Sequence, residues 1–323
     1  MIYPKFIKKN DTIGICAPSA GIGHKLDLHE ESIECFKKHG FKVKETASVR
    51  TLNKRSTTAK KRAQELDQLV CDKSVNAIFA ATGGDFMYEI LPYINLENIK
   101  NNVKWLSGMS DPTNLLYLVT TKLDIATLYG HNGSGFVEGQ KDKETCLDYL
   151  QGNISKQKSY KRYQDFIDTC NDLKLMNKKV NWISKKDCTI EGRLIGGCFE
   201  IIEKFLGTKY DCTKEFIERY KDDGIVWYFD IFSMDAYNVY LSLLQMKYAG
   251  FFKHCKGILF GRVAFLNESE MKYAEAFKKA LGNIPYIYEM DFGHTEPGMT
   301  MINGAIVKVN CKDFKGDISF KLK

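Results

Sequence analysis

The sequence predicts an α/β protein with a mainly parallel sheet in its N-terminal part and a smaller C-terminal α/β domain, and three observations carry that prediction. Short apolar runs alternate with helical stretches, and Gly-rich loops follow the runs, the pattern of strands joined by crossover helices. At 323 residues the chain is long enough for two cores. Composition shifts after residue 150: Lys, Gln, Asn, Asp and Tyr crowd 151–187, and a second alternating series begins beyond them. The division expected is therefore 1–150, a linker or excursion over the active-site mouth at 151–187, and 188–323.

The elements follow in order. Thr12 to Ala17 is an apolar run broken by Pro18-Ser19-Ala20-Gly21, a buried strand ending in a tight loop; a helix is expected over 25–39, closed by Gly40. Phe41 to Ala47 is a second strand, 57–72 a polar helix with Ala63, Leu66, Leu69 and Val70 on one side, and Val75 to Ala81 a third strand. That strand runs into Thr82-Gly83-Gly84-Asp85, where a helix with Met87, Ile90 and Leu91 starts. Trp105 to Gly108 leads to Met109-Ser110-Asp111-Pro112-Thr113, a bend followed at once by a helix carrying Leu115, Leu116, Leu118 and Val119. Asp124 to Tyr129 is the next strand, ending at Gly130-His131-Asn132. In the second half, Glu191 to Cys198 leads into a helix closed near Gly207. Strands are expected at 224–229, 256–261 and 285–290, helices at 236–249 and 268–281, and the last thirty residues alternate as an antiparallel ribbon would. In parallel sheets ligands sit beyond the carboxyl ends of the strands, so the Pro18-Ser19, Gly83-Gly84, Ser110 and His131 loops are expected to converge.

Composition narrows the function. The chain is 44% hydrophobic and 27% charged with 6 prolines, which is ordinarily globular. A net charge of +7 is a modest excess without a basic helix or aromatic-interleaved motif, so no nucleic acid partner is expected. The 10 cysteines contain no Cys-x-x-Cys pair and read as reduced structural thiols of a cytoplasmic protein. Met1 to Asn10 has lysines but no apolar core of a signal peptide, and no run is long enough to span a membrane, so a soluble cytoplasmic protein with no membrane partner is expected.

The candidates for chemistry stand on loops after strands. Ser110 sits on a strand–turn–helix corner beside the positive end of a helix, the way a nucleophilic serine is usually presented; a turn-shaping serine would also occupy it. Asp111 suits the N-cap and Pro112 the first helical position. Gly83-Gly84 offers amides for an oxyanion, or merely a phosphate-binding or tightly packed turn. A serine nucleophile needs a base oriented by a carboxylate. His24, His29 and His39 lie on or beside a charged helix and read as surface residues, and His254 as a helix-terminal cation. His131 and His294 follow strands, and His294 is either functional or a satisfied loop histidine. Asp230 ends the most apolar strand of the second half, where a buried carboxylate needs a partner or serves as a cap. No metal-ligand spacing, Walker lysine or complete dinucleotide fingerprint is present, so no metal and no cofactor is expected.

Taken together these features resemble the LD-carboxypeptidases, serine peptidases with a Ser-Glu-His triad. The matching segments, in the family's order, are Ile13 to Ser19, Gly83-Gly84, Gly108 to Asp111, Gly192 to Gly197, Gly207-Thr208, Gly257 to Gly261 and Gly293 to Pro297. The resemblance implies a Rossmann-like N-terminal domain holding the nucleophile Ser110, and a C-terminal domain holding the base His294 and the acidic triad member. Backbone amides near Gly84 and at Asp111 would form the oxyanion hole, and Ser110 and His294 would meet across an interdomain cleft. It further implies a homodimer that removes terminal D-Ala from murein tetrapeptides in cell-wall recycling. Two positions depart from the family: Asp230 stands where the glutamate is expected, with Glu296 the next carboxylate to consider or a substrate contact, and Cys198 replaces an asparagine. The 151–187 stretch also resembles the microcin-C self-immunity branch, which hydrolyses aminoacyl-nucleotide conjugates; Trp182 would then stack on the base, or simply pack at a hinge. A relative whose triad has decayed, and which only binds a muropeptide or nucleotide, is the reading from a different class.

Overall fold

A run such as Ile13-Gly14-Ile15-Cys16 has no polar face because both faces of a parallel sheet are covered, and it forms the first strand, β1 (Thr12–Cys16), buried from Ile13 onward. The computed structural model describes residues 1–171 and 174–322. The chain divides into two units, Met1–Ser155 with Thr300–Asn303, and Lys156–Met299 with Gly304–Lys323.

In the first unit β1 is followed by α1 (Leu26–Lys38), β2 (Lys42–Glu45), α2 (Ala59–Cys71) and β3 (Val75–Ala80). Gly40, at φ 88°, supplies the left-handed turn that closes α1, and the Thr58 hydroxyl caps α2 by accepting the Lys61 N–H at 3.3 Å. The helix expected after Gly84 is a 3₁₀ turn over Met87–Tyr93, followed by the unforeseen α3 (Leu96–Asn101). Pro92 inside the turn offers no N–H for a longer helix. Then come β4 (Trp105–Gly108), α4 (Thr113–Leu123), β5 (Thr127–Tyr129) and α5 (Lys141–Leu150). Strands pair in the order β2-β1-β3-β4-β5, all parallel, and Met301–Asn303 adds an antiparallel edge beyond β5. This is a doubly wound order whose switch point lies between β1 and β3, where the Pro18-Ser19 and Gly83-Gly84 loops emerge.

The second unit begins in the stretch read as a linker or excursion. β6 (Gln157–Lys158), β7 (Arg162–Tyr163), α6 (Phe166–Cys170), β8 (Lys178–Lys179) and β9 (Ile183–Ser184) lie there; residues 172 and 173 are outside the described residues. β10 (Cys188–Cys198), α7 (Phe199–Ile202), α8 (Thr213–Arg219), β11 (Ile225–Asp230), α9 (Ala236–Tyr248), β12 (Cys255–Gly261), α10 (Tyr273–Leu281) and β13 (Tyr286–Met290) follow. The Met301–Asn303 strand is β14, and β15 (Ile306–Lys312) and β16 (Lys315–Lys321) form the terminal ribbon. The sheet order is β6-β16-β15-β10-β11-β12-β13-β9, with β10 to β13 parallel and the flanking strands antiparallel. Among the described residues the main sheet of this unit has eight strands against six in the first unit, and β7 pairs with β8 as a separate antiparallel ribbon. The excess comes from β6 and β9, two-residue strands too short to show any periodicity.

β10 was legible only as a lead into a helix, because Gly192, Gly196 and Gly197 dilute its strand signal. Packing demands one of them: a Cβ on Gly196 would lie 1.9 Å from the Tyr228 carbonyl oxygen of β11. Among the described residues, no helix is long and apolar enough to cross a membrane.

The register of β10 on β11 makes a direct prediction. Gly196→Ala should destabilise the fold by about 1–3 kcal/mol or more, as overpacking against backbone does. Urea denaturation measures it, and an unchanged midpoint would contradict this strand pairing.

Candidate active site

At the end of β4 the chain must turn sharply into α4, and Gly108 permits it, since a Cβ there would lie 2.7 Å from the Pro112 ring. Ser110 stands on the turn at φ 70°, a left-handed conformation that costs a non-glycine residue about 1–3 kcal/mol and must be held by its surroundings. Those holders are identifiable. The Ser110 N–H donates to the Tyr129 hydroxyl at 3.1 Å, its carbonyl accepts the Thr113 N–H at 2.9 Å, and Asn132 Oδ1 accepts the Met109 N–H at 2.9 Å. Ser110 is half-buried and adjoins the amino end of α4, where developing negative charge is favoured.

The loops expected to converge do so within the first unit. A Cβ on Gly83 would stand 3.1 Å from Ser110 Cβ and 3.4 Å from its Oγ, so any side chain there would crowd the serine. Gly84, at φ 144°, lies against Ser19, whose hydroxyl donates to Asp111 Oδ2. Asp111 is buried and does not cap α4 with its side chain, contrary to expectation, because the amides of Thr113 and Asn114 are taken by the Ser110 and Asp111 carbonyls. Its carboxylate instead ties three loops together, accepting from Ser19, the Met87 N–H at 2.7 Å and Asn114 Nδ2 at 2.9 Å. Beneath them the fully buried Arg62 donates to the Pro18 and Phe86 carbonyls and to Glu89. Tyr129, Asn132 and Arg62 carried no signal in the sequence beyond lying in or opposite these loops.

Two histidines are structural. His131 Nε2 pairs with Asp142 Oδ2 at 3.0 Å. His29, read as a surface residue, has no exposed area; its ring lies 2.7 Å from Ser134 Oγ and 3.2 Å from Glu45 Oε2. It occupies the inward face of α1, which the charged neighbours at 27, 30 and 31 disguised.

The second unit holds the other constellation. Asp230 ends β11 with no exposed surface, and its Oδ2 lies 2.9 Å from His294 Nδ1. Gly293, at φ 100°, makes the approach possible: a Cβ there would fall 2.2 Å from Asp230 Oδ1, so the histidine loop lies directly on the carboxylate. That is how the shorter aspartate reaches the ring. Phe232 and Phe166 flank the imidazole at centroid distances of 4.5 and 5.6 Å. Burial alone would depress the imidazole pKa, but the Asp230 carboxylate and its hydrogen bond, with Glu200 adding to them, outweigh it and raise the pKa above the ordinary 6.5. Glu200 Oε1 in turn accepts the amides of Phe232, Ser233 and Met234 at 2.8–3.0 Å, fixing the loop after Asp230. Cys198, opposite Asp230 in register, is buried, which pushes its thiol pKa well up and leaves it inert.

The remaining candidates fall differently. Trp182 is fully buried inside the second unit, its indole N–H donating to Asp291 Oδ2 at 2.8 Å and its ring pressed on Gly316. No face is open to a nucleobase, so the stacking role does not stand. The Glu296 carbonyl accepts the Gln164 N–H at 2.9 Å, and its residue is half-buried two positions past His294. Among the described residues, no group of three or more His, Cys, Asp or Glu is arranged to hold a metal ion.

Comparison with known proteins identifies a family for the chain. The family model described as LD-carboxypeptidase N-terminal domain matches residues 13–130, and that described as LD-carboxypeptidase C-terminal domain matches 191–309. A Treponema pallidum protein named "Putative carboxypeptidase" is 26% identical over 317 residues, covering 94% of this chain and 91% of its own. Among solved structures, the microcin C7 self-immunity protein MccF in complex with aspartyl sulfamoyl adenosine superposes with a TM-score of 0.83 at 22% identity, covering 100% of this chain and 99% of its own. A muramoyltetrapeptide carboxypeptidase from Oxalobacter formigenes superposes with a TM-score of 0.76 at 17% identity, over 96% and 99%.

The electrostatics of His294 can be read directly by imidazole NMR. Its pKa should lie above 6.5, and Asp230→Asn, which removes the nearest charge and leaves only Glu200 to oppose burial, should lower it. Because the folded pKa is the raised one, the stability this pair contributes is complete below pH 6.5 and is lost as pH rises through the folded value. A His294 that titrates below 6.5 in the parent would contradict the pairing.

Proposed function

The chain belongs to the LD-carboxypeptidase family, and we propose on that premise that it is a serine carboxypeptidase in which Ser110, His294 and Asp230 carry the reaction. The observation that carries the assignment is the 2.9 Å contact between a fully buried Asp230 and His294 Nδ1, which leaves Nε2 as the nitrogen that handles the substrate's protons. Ser110 Oγ attacks the carbonyl carbon of the scissile amide while His294 Nε2 takes its proton. The oxyanion is received by backbone amides near Gly84 and at Asp111, beside the positive end of α4. The imidazolium then returns the proton to the leaving amine, and water hydrolyses the acyl-enzyme by the same route. Asp230 holds the ring in the productive tautomer and stabilises its charged form.

The substrate this reading favours is a murein tetrapeptide from which terminal D-Ala is released, with Glu296 a contact for it, in a cytoplasmic homodimer serving peptidoglycan recycling. Hydrolysis of aminoacyl-nucleotide conjugates loses its specific support, because the stacking tryptophan it needed is buried. The decayed-homologue reading rested on the shorter acidic residue at 230, and the close approach of the Gly293 loop to Asp230 favours the catalytic reading over it.

Turnover of murein tetrapeptide, followed by D-Ala release, tests this. Ser110→Ala should abolish it. Asp230→Asn should lower kcat by orders of magnitude, about 10⁴ where the wrong imidazole tautomer is held. The acid limb of kcat/KM should lie above pH 6.5, since the base must be neutral. Turnover surviving in Ser110→Ala would overturn the assignment, turnover of an aminoacyl sulfamoyl adenosine alone would restore the second substrate class, and saturable binding of either without turnover would establish the binder.

A further inference from the structure

We propose that the buried Arg262–Asp291 pair is a positioning device that sets the His294 ring; the inference rests on His294 being the general base of the reading above. Arg262 follows β12 directly and is 2% exposed, and Asp291 follows β13 directly and has no exposed area. Arg262 Nη1 donates to Asp291 Oδ1 at 2.7 Å, and Arg262 Nε donates to Thr295 Oγ1 at 3.1 Å. One rigid guanidinium therefore grips the chain on both sides of His294, three residues before it and one after. The same Nη1 reaches the Glu289 carbonyl at 3.3 Å, and the Tyr163 ring lies 4.2 Å from the guanidinium carbon.

Asp291 is itself tethered. Its Oδ2 accepts the Trp182 indole N–H at 2.8 Å and the Tyr160 N–H at 3.1 Å, and its carbonyl accepts the Met299 N–H at 2.6 Å. The 156–187 stretch thus supports the histidine loop from within the second unit, which gives Trp182 a role in place of base stacking. Fold stability alone explains this arrangement poorly, because a buried ion pair is often no better than apolar packing of the same volume. Arg262 Nη2 is moreover buried with no hydrogen-bond partner among the described residues, a cost that a purely stabilising network would avoid. The fork is placed for Asp291 and Thr295 at the expense of its own satisfaction. A lysine, with a single point of charge, would not hold both groups in one geometry.

Arg262→Lys is the test variant, read by kcat, KM and thermal unfolding on murein tetrapeptide, and by imidazole NMR of His294. The charged groups facing that ring, Asp230 and Glu200, stay intact in the variant. The expected result is a folded protein with kcat reduced about 10–100-fold, as a misplacement of the order of 1 Å produces, KM within about threefold, and a His294 pKa moved down toward 6.5. Should Arg262→Lys fail to fold, the paired replacement Arg262→Met with Asp291→Leu removes both charges together and is expected to fold with the same loss of kcat. A folded variant with parental kcat and parental His294 titration would overturn the proposal. If the parent itself releases no D-Ala, the hydrolase reading fails on its own, while the NMR titration still decides whether Arg262 sets the ring.

Discussion

A carboxylate without exposed surface, at the end of a strand with no exposed residue, has to be satisfied or the fold loses several kcal/mol, and the second unit is arranged around that requirement. Asp230 is answered by His294 at 2.9 Å, and each neighbouring feature serves that meeting. Gly293 lets the histidine loop lie on the carboxylate, and Glu200 gathers the amides that follow Asp230. Gly196 lets β10 press on β11 just before the strand ends. The proposed chemistry rests on the same contact: one imidazole nitrogen is committed to a buried anion, and the ring is made more basic than burial alone would allow.

The first unit solves a different problem, the display of a strained serine. A left-handed Ser110 is unfavourable by itself, and it persists because Tyr129, Asn132 and the first turn of α4 leave the bend no alternative. Asp111, next to it, spends its carboxylate on Ser19 in the loop after β1 and on the Met87 N–H beyond β3, so the segments that flank the Gly83-Gly84 turn are tied to the residue that follows Ser110. Loops after parallel strands are otherwise the mobile part of an α/β fold; here they are locked by buried charge.

What the sequence disclosed depended on the range of the interaction. Hydrophobic runs bounded by glycine located β1, β3, β4, β11, β12 and β13, and the corner at Ser110 was legible because strand, turn and helix are contiguous. The Asp230–His294 contact was inferred from position in the chain and from family resemblance, since nothing local announces a partner 64 residues away. Where signals are local but ambiguous, the reading failed. Glycines hid β10, two-residue strands gave 151–187 the look of a linker or excursion, a charged helix made His29 look exposed, and a polar surrounding made Trp182 look available. In the last case the polar neighbours were partners: the indole N–H was needed to satisfy Asp291. The Arg262 fork was invisible for the same reason, as its two side-chain acceptors lie about thirty residues away on another loop.

The central claim is that Ser110 is a nucleophile activated by His294. Labelling with a serine-directed organophosphonate, followed by peptide mass spectrometry, addresses it whatever the substrate is. The account predicts one adduct, on the peptide containing Ser110, formed many times more slowly when His294 is replaced by alanine. An adduct on a different serine, or an undiminished rate without His294, would contradict it.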